Sequence, residues 1–205
     1  MLKNIVFDMG NVLLVYNPYQ ACLRYARDPE KARLLLDAIF ETPQWWELID
    51  GGVLTDVEYI PNAQSRLETP ELRQLAAQVL TDWYLDGLYP MPGMETVVES
   101  LLAQGYRLFL LSNVGHSFHD FAYKMPYLRR FEGVVLSCEE RVRKPDPVIF
   151  RRLCARYGLT PAQTLFVDDL PANVEGARQA GWQGHCFDHG DPARLLAAID
   201  ALAAR

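Results

Sequence analysis

Apolar positions along this chain fall into two rhythms that take turns. Continuous apolar runs of strand length occur at residues 5–7 (IVF), 106–112 (YRLFLLS), 133–137 (GVVLS) and 164–169 (TLFVDD), with a weaker fifth at 184–187 (GHCF). Runs that are apolar at every position, rather than at alternate ones, suit strands covered on both faces, as in a parallel sheet. Between them, apolar residues recur at helical spacing. Val97, Val98, Leu101 and Leu102 form a stripe ended by Gly105, and Ile149, Phe150, Leu153, Cys154 and Tyr157 form one ended by Gly158. Val174, Ala177 and Ala180 precede Gly181, and Leu195, Leu196, Ile199 and Leu202 form a last stripe. Asp146 is suited to cap the second of these helices and Pro147 to its first position. The alternation from Gly93 onward predicts an α/β fold built on a doubly wound parallel sheet.

The rhythm breaks between Asn17 and Pro92, where there is no convincing strand. Leu72, Leu75, Ala76, Val79, Leu80 and Trp83 repeat at helical spacing, and residues 34–40 also read as helix. A turn is expected at Gly51-Gly52, followed by Thr55 and Glu58 in the spacing of a capping box. The stretch at 89–93 (YPMPG) reads as a return hinge. The expectation is a small all-helical unit, residues 17–89, inserted directly after the first strand of a core made of residues 1–16 and 90–205.

Composition narrows the picture. Half of the 205 residues are hydrophobic, enough for one sizeable core with a small accessory lobe. The formal charge of −6, with no Lys/Arg run, argues against nucleic acid as a partner. Cys22, Cys138, Cys154 and Cys186 are far apart and form no CxxC pair, so buried reduced thiols are expected rather than a zinc site or a disulfide framework. Asp8 cuts the first apolar run short, so no signal peptide is read, and no run is long enough to cross a bilayer. A cytoplasmic globular protein is the expectation; the oligomeric state is not legible.

The chemistry lies where the strands end, because ligands of open α/β sheets bind outside the carboxyl ends of the strands. Asp8 follows the first run, Ser112 and Asn113 the second, Lys144 the third at a short distance, and Asp168-Asp169 the fourth. Each alone has an ordinary explanation as a turn, cap or solvated residue. Together they bring three acids, a hydroxyl, an amide and an ammonium to one edge. Clustered carboxylates repel one another unless a cation sits among them, and oxygen ligands of this kind suit Mg²⁺. The donors suit an anionic phosphoryl group, and a carboxylate can serve as nucleophile.

In order and spacing, VFDMGNVLL, LLSN, RKPDPVIF and LFVDDLPANVEGARQAG resemble the four motifs of the haloacid dehalogenase superfamily, mostly Mg²⁺-dependent phosphatases. The helical insert resembles that superfamily's C1-type cap, and the FDxGNV wording resembles a subgroup with sugar-phosphate phosphatases. The resemblance implies Asp8 as nucleophile, and Ser112, Asn113 and Lys144 as phosphate ligands, Lys144 also offsetting charge on the nucleophile. It implies Mg²⁺ held by Asp8, the backbone carbonyl of Gly10, Asp169 and Asp168. The implied substrate is a small phosphorylated metabolite. One position departs: Gly10 stands where most family phosphatases carry a second acid, which protonates the leaving group and then activates water. A positioned acid–base contributes about 10²–10⁴-fold. Three readings follow: a phosphatase that manages its leaving group otherwise, a weakly active phosphometabolite-binding protein, and a dehalogenase, which the resemblance disfavours because those enzymes need no metal.

Lesser candidates are His116 and His119, as substitute acids or surface residues, and Trp45 and Trp46, as packing or stacking residues. Tyr16 and Asn17 are candidates for substrate contact, whereas His185 and His189 are assigned no role.

Overall fold

A computed structural model describes residues 1–187 and 191–203; His189 lies outside the described residues. The chain opens with β1 (Asn4–Phe7) and β2 (Leu14–Tyr16), then runs through α1 (Pro18–Ala26), α2 (Pro29–Ile39), a π-helical turn (Trp45–Ile49), α3 (Ile60–Gln64), α4 (Pro70–Asp82) and α5 (Tyr84–Gly87). It returns through β3 (Leu88–Pro90) and α6 (Met94–Ala103) to β4 (Arg107–Ser112), α7 (Phe118–Phe121), β5 (Gly133–Leu136), α8 (Ser137–Glu140) and α9 (Pro147–Tyr157). The last elements are β6 (Thr164–Asp168), α10 (Pro171–Gln179), β7 (Gln183–Cys186) and α11 (Pro192–Ala203).

Five strands form one parallel sheet in the order β5-β4-β1-β6-β7. The unbroken apolar runs are explained by two separate cores. Ile5, Phe7, Leu108, Leu110, Leu165 and Val167 face one core, whereas Val6, Phe109, Leu111, Val135 and Phe166 face the other. Side chains alternate across a strand, so both faces must be apolar when both are covered. The second core is closed by Ile149, Phe150 and Leu153 of α9, Ala177 of α10, and Trp182. Asp146 caps α9 by accepting the Val148 N–H at 2.8 Å, and Gly158 ends it in the left-handed region.

The stretch expected to hold no strand does hold one. β3 pairs antiparallel with β2, Val15 opposite Tyr89, so the chain leaves and re-enters along a two-stranded ribbon. Three residues ending in proline are too short to show a period, and only the partner β2 makes them a strand. The Thr55–Glu58 box is formed in both directions, at 2.9 and 3.3 Å, but it closes a turn ahead of α3 rather than starting the helix. Phe40, Trp45, Tyr59 and Trp83 pack edge to face, and Trp83 also meets Phe121. This aromatic group ties the helical segment into the first core. Among the cysteines, Cys22 and Cys138 are buried as expected, whereas Cys154 and Cys186 are only half-buried. Among the described residues, no helix is long and apolar enough to cross a membrane.

Phe150 contacts Phe166 and Trp182 edge to face at 5.4 Å each. Phe150→Ala is expected to lower stability by about 3–5 kcal/mol in urea unfolding. A loss no larger than that of a surface substitution would show that the second core carries little of the stability.

Candidate functional site

Register decides which side chains meet at the sheet edge. Phe7 sits opposite Leu110 on one side and Val167 on the other, so the next residue, Asp8, emerges between the ends of β4 and β6. Its N–H is fixed by the Val167 carbonyl at 2.8 Å. Lys144 reaches in from the loop before α9, and its Nζ lies 2.6 Å from Asp8 Oδ1 and 2.7 Å from Asp168 Oδ2. The Lys144 side chain is 1 % exposed and that of Asp168 is fully buried.

Further bonds hold this bridge. The Asn113 carboxamide accepts from the Lys144 N–H at 2.8 Å and donates to the Lys144 carbonyl at 2.9 Å, clamping the end of β4 to the lysine. One Nδ2 hydrogen remains for a ligand. Asp168 accepts from the Leu170 N–H and from Asn173 Nδ2 at both oxygens. Asn11, left-handed at φ 52°, donates to Asp169 Oδ2 and accepts from the Tyr16 N–H, each at 3.1 Å. Short polar side chains such as asparagine are the non-glycine residues that tolerate this backbone region.

Burial raises the Asp8 carboxyl above the ordinary carboxylate range; Lys144 pulls it back, and the Asp168 charge raises it. Burial opposes the charge on Lys144, yet Asp8 and Asp168 outweigh it and hold the ammonium's pKa above its usual value. Burial also raises Asp169, opposed by the bond from Asn11. Ligand oxygens of Asp8, Asp168 and Asp169 lie within 4.8 Å of one another. Three acids against one ammonium leave an anionic, all-oxygen cluster, the donor chemistry that hard divalent cations take.

A cavity of about 460 Å³ opens over this floor, lined by Asp8, Gly10, Asn113, Lys144 and Asp169 below. Tyr16, Trp46, Ile49, Asp50 and Trp83 line it from the ribbon and helical segment. A second cavity, of about 340 Å³, shares Tyr16 and Trp46 with it. A Cβ added at Gly10 would meet nothing within 4 Å, so sterics do not exclude a side chain there. Ser112 ends β4, buried, with its Oγ 3.5 Å from the Asn113 carbonyl, and does not line the cavity. His116 and His119 do not line it either; His119 pairs with Glu139 at 3.1 Å. Trp45, 2 % exposed, packs against Phe40, Tyr59 and Trp83 and also lines the larger cavity, while Trp46 is 41 % exposed and lines both. Asn11, Asn173, Arg143 and Asp50 were not singled out from the sequence. The asparagines lie within the motifs, and Asp50 precedes the Gly51-Gly52 turn, a position whose only signal is adjacency to a turn.

A family model of haloacid dehalogenase-like hydrolases matches residues 2–181. The chain is 26 % identical over 184 residues to a sesquiterpene phosphatase of Aspergillus oryzae, covering 89 % of this chain and 88 % of that one. It is 30 % identical over 194 residues to haloacetate dehalogenase H-2 of a Moraxella species, covering 89 % of this chain and 84 % of that one. Among solved structures it resembles a HAD-like family hydrolase from Porphyromonas gingivalis, with a TM-score of 0.71, 28 % identity, and coverage of 100 % of this chain and 99 % of that one.

Lys144→Met keeps the side chain's length and removes its charge, leaving Asp8 and Asp168 buried without their cation. Urea unfolding at pH 7.5 without divalent ions is expected to show a loss of about 3–5 kcal/mol. The Asp8 pKa is already raised in the folded state, so the charge is costly above that pKa and relieved below it. The deficit is therefore expected to shrink as pH falls; a deficit that grew with acidity would refute this reading of the bridge.

Proposed function

The chain belongs to the haloacid dehalogenase-like hydrolases, and we propose that within them it is a Mg²⁺-dependent phosphatase that works through an aspartyl-phosphate on Asp8. The observation that carries the reading is the Lys144 bridge: a carboxylate at a cavity floor, oriented by an ammonium, beside two further acids. Asp8, Asp169 and the backbone carbonyl of Gly10 would hold the metal. The oxygens of Asp168 already accept from Lys144, Asn173 and Leu170, so Asp168 would serve mainly by fixing its neighbours. When bound, Mg²⁺ would offset charge on the phosphoryl oxygens.

Asp8 attacks phosphorus while Lys144 neutralises charge on both partners. Asn113 offers its remaining N–H to the phosphoryl oxygens, with Ser112 at the strand end behind it. Residues 17–89 act as a C1-type cap over a core of residues 1–16 and 90–205, and choose the substrate. The cavity's upper wall, with Trp46, Ile49 and Trp83, favours a small phosphorylated metabolite with an apolar face over a bare sugar phosphate. The name of the Aspergillus relative, a sesquiterpene phosphatase, agrees with that preference.

A second reading, dehalogenation, draws on the Moraxella relative and on Gly10, since halide leaves without a proton. One set of assays separates the two. Turnover of p-nitrophenyl phosphate is expected with Mg²⁺, to vanish with EDTA, and to fall about 10³-fold or more in Asp8→Asn. EDTA-insensitive halide release from haloacetates, with no phosphate release from any ester, would replace the phosphatase reading with the dehalogenase one.

A further inference from the structure

We propose that Asp50 is the group that protonates the leaving oxygen and then deprotonates water, the task for which Gly10 has no side chain; the proposal rests on the phosphatase reading above. Asp50 follows the Trp45–Ile49 turn, is 4 % exposed, and lines the same cavity as Asp8 and Gly10. Among the described residues, its carboxyl takes part in no hydrogen bond and no ion pair within 4.0 Å. The other acids near the site are engaged: Asp8 and Asp168 with Lys144, Asp169 with Asn11, and Asp56 with the Trp83 indole N–H at 2.8 Å. Asp56 does not line the cavity.

The backbone at Asp50 is fastened to the sheet edge. Its carbonyl accepts from Ser137 Oγ at 2.6 Å, and the same hydroxyl accepts from the Val114 N–H at 2.9 Å. Gly52 is left-handed at φ 72°, and a Cβ there would stand 2.0 Å from the Cys138 carbonyl oxygen. A Cβ at Gly115 would stand 2.5 Å from Ile49 Cγ2. Two glycines thus permit the close approach that sets Asp50 in the wall of this cavity.

The charge environment suits the role. Burial dominates and pushes Asp50 up to about 8. Arg143 and Lys144 favour its anion, while Asp56 and Asp8 favour its acid. The buried Tyr16 hydroxyl and the Cys138 thiol also face it, and both stay neutral because burial raises them. An acid poised near the working pH can donate in one step and accept in the next.

In the first step the Asp8 oxygen bonds to phosphorus, and the phosphorus–oxygen bond to the leaving group breaks. The electron pair goes to that oxygen, which takes the Asp50 proton and departs as the alcohol. In the second step water attacks phosphorus and gives a proton to the Asp50 carboxylate. The Asp8–phosphorus bond breaks, and phosphate, the Asp8 carboxylate and the Asp50 acid are regenerated.

The test is a leaving-group series, p-nitrophenyl, phenyl and benzyl phosphate, with Mg²⁺. Asp50→Asn is expected to lose about 10²–10⁴-fold in kcat/KM on benzyl phosphate and far less on p-nitrophenyl phosphate. Rapid mixing with p-nitrophenyl phosphate should show a burst of one product per site before slow turnover, since the second-step base is gone. Gly10→Asp added to Asp50→Asn should recover part of the benzyl phosphate rate, because the space above Gly10 is open. Independently of any variant's folding, the wild-type benzyl/p-nitrophenyl rate ratio should fall as pH rises through about 8. Equal losses across the series without a burst, a pH-independent ratio, or the leaving-group dependence appearing in Tyr16→Phe instead would overturn the assignment. Wild-type turnover that Asp8→Asn abolishes sustains the phosphatase reading whichever way Asp50 falls; no wild-type turnover overturns both.

Discussion

The sheet edge depends on one buried ammonium. Lys144 lies between Asp8 and Asp168, and without it a fully buried carboxylate and a nearly buried one would face each other with no cation between them. Breaking such a pair from one side leaves an uncompensated buried charge, whereas the pair together is tolerable only if its remaining lone pairs are satisfied. That condition explains the neighbours. Asn173 and the Leu170 N–H saturate Asp168, and Asn113 grips the lysine backbone on both sides. Parallel pairing of β1 with both β4 and β6 then sets Asp8 between their ends, where the ammonium that meets Asp168 also reaches it.

Above this fixed floor the walls come from elsewhere in the chain. The helical segment shares the first core with the sheet through Phe40, Trp45, Trp83 and Phe121, so its position follows from packing rather than from charge. The side chains it leaves over the cavity are largely apolar, with Asp50 the acid among them. Floor and wall therefore differ in kind: an electrostatic bridge orients the groups at the cavity floor, and close packing shapes the wall above them.

What the sequence made legible follows the same division. Each central strand needs two apolar faces, so IVF, RLFLLS and TLFV stand out as unbroken runs, and the residue ending or following each run is where chemistry was expected. Asp8, Lys144, Asp168 and Asp169 do come together at that edge. The ribbon of β2 and β3 was not legible, because a three-residue strand acquires meaning only from a partner more than seventy positions away. Asn11 and Asn173 were hidden for another reason: their work is to hold other side chains, and an asparagine in a turn or on a helix reads the same whether or not it does so. Asp50 was hidden because its place in the wall goes with close approaches at Gly52 and Gly115, to the Cys138 carbonyl and the Ile49 side chain, which spacing along the chain does not encode.

The location of the proposed acid has a consequence that its chemistry alone does not. A side chain at position 10 would belong to the turn after β1, two residues from Asp8 whatever the helical segment did, and the open space there would admit it. Asp50 instead reaches the site through the bond from Ser137 to its carbonyl and through glycine contacts between the helical segment and the core. With the proposed nucleophile at the sheet edge and the proposed proton carrier on the segment, the full constellation exists only while the two are packed together. Docking is also what buries Asp50, and burial is what keeps it protonated. Undocked, the carboxyl would return toward its ordinary pKa and lose its proton at neutral pH. Proton supply in this arrangement thus depends on the helical segment staying packed on the core it shares with the sheet, the contacts around Ser137, Gly52 and Gly115 included.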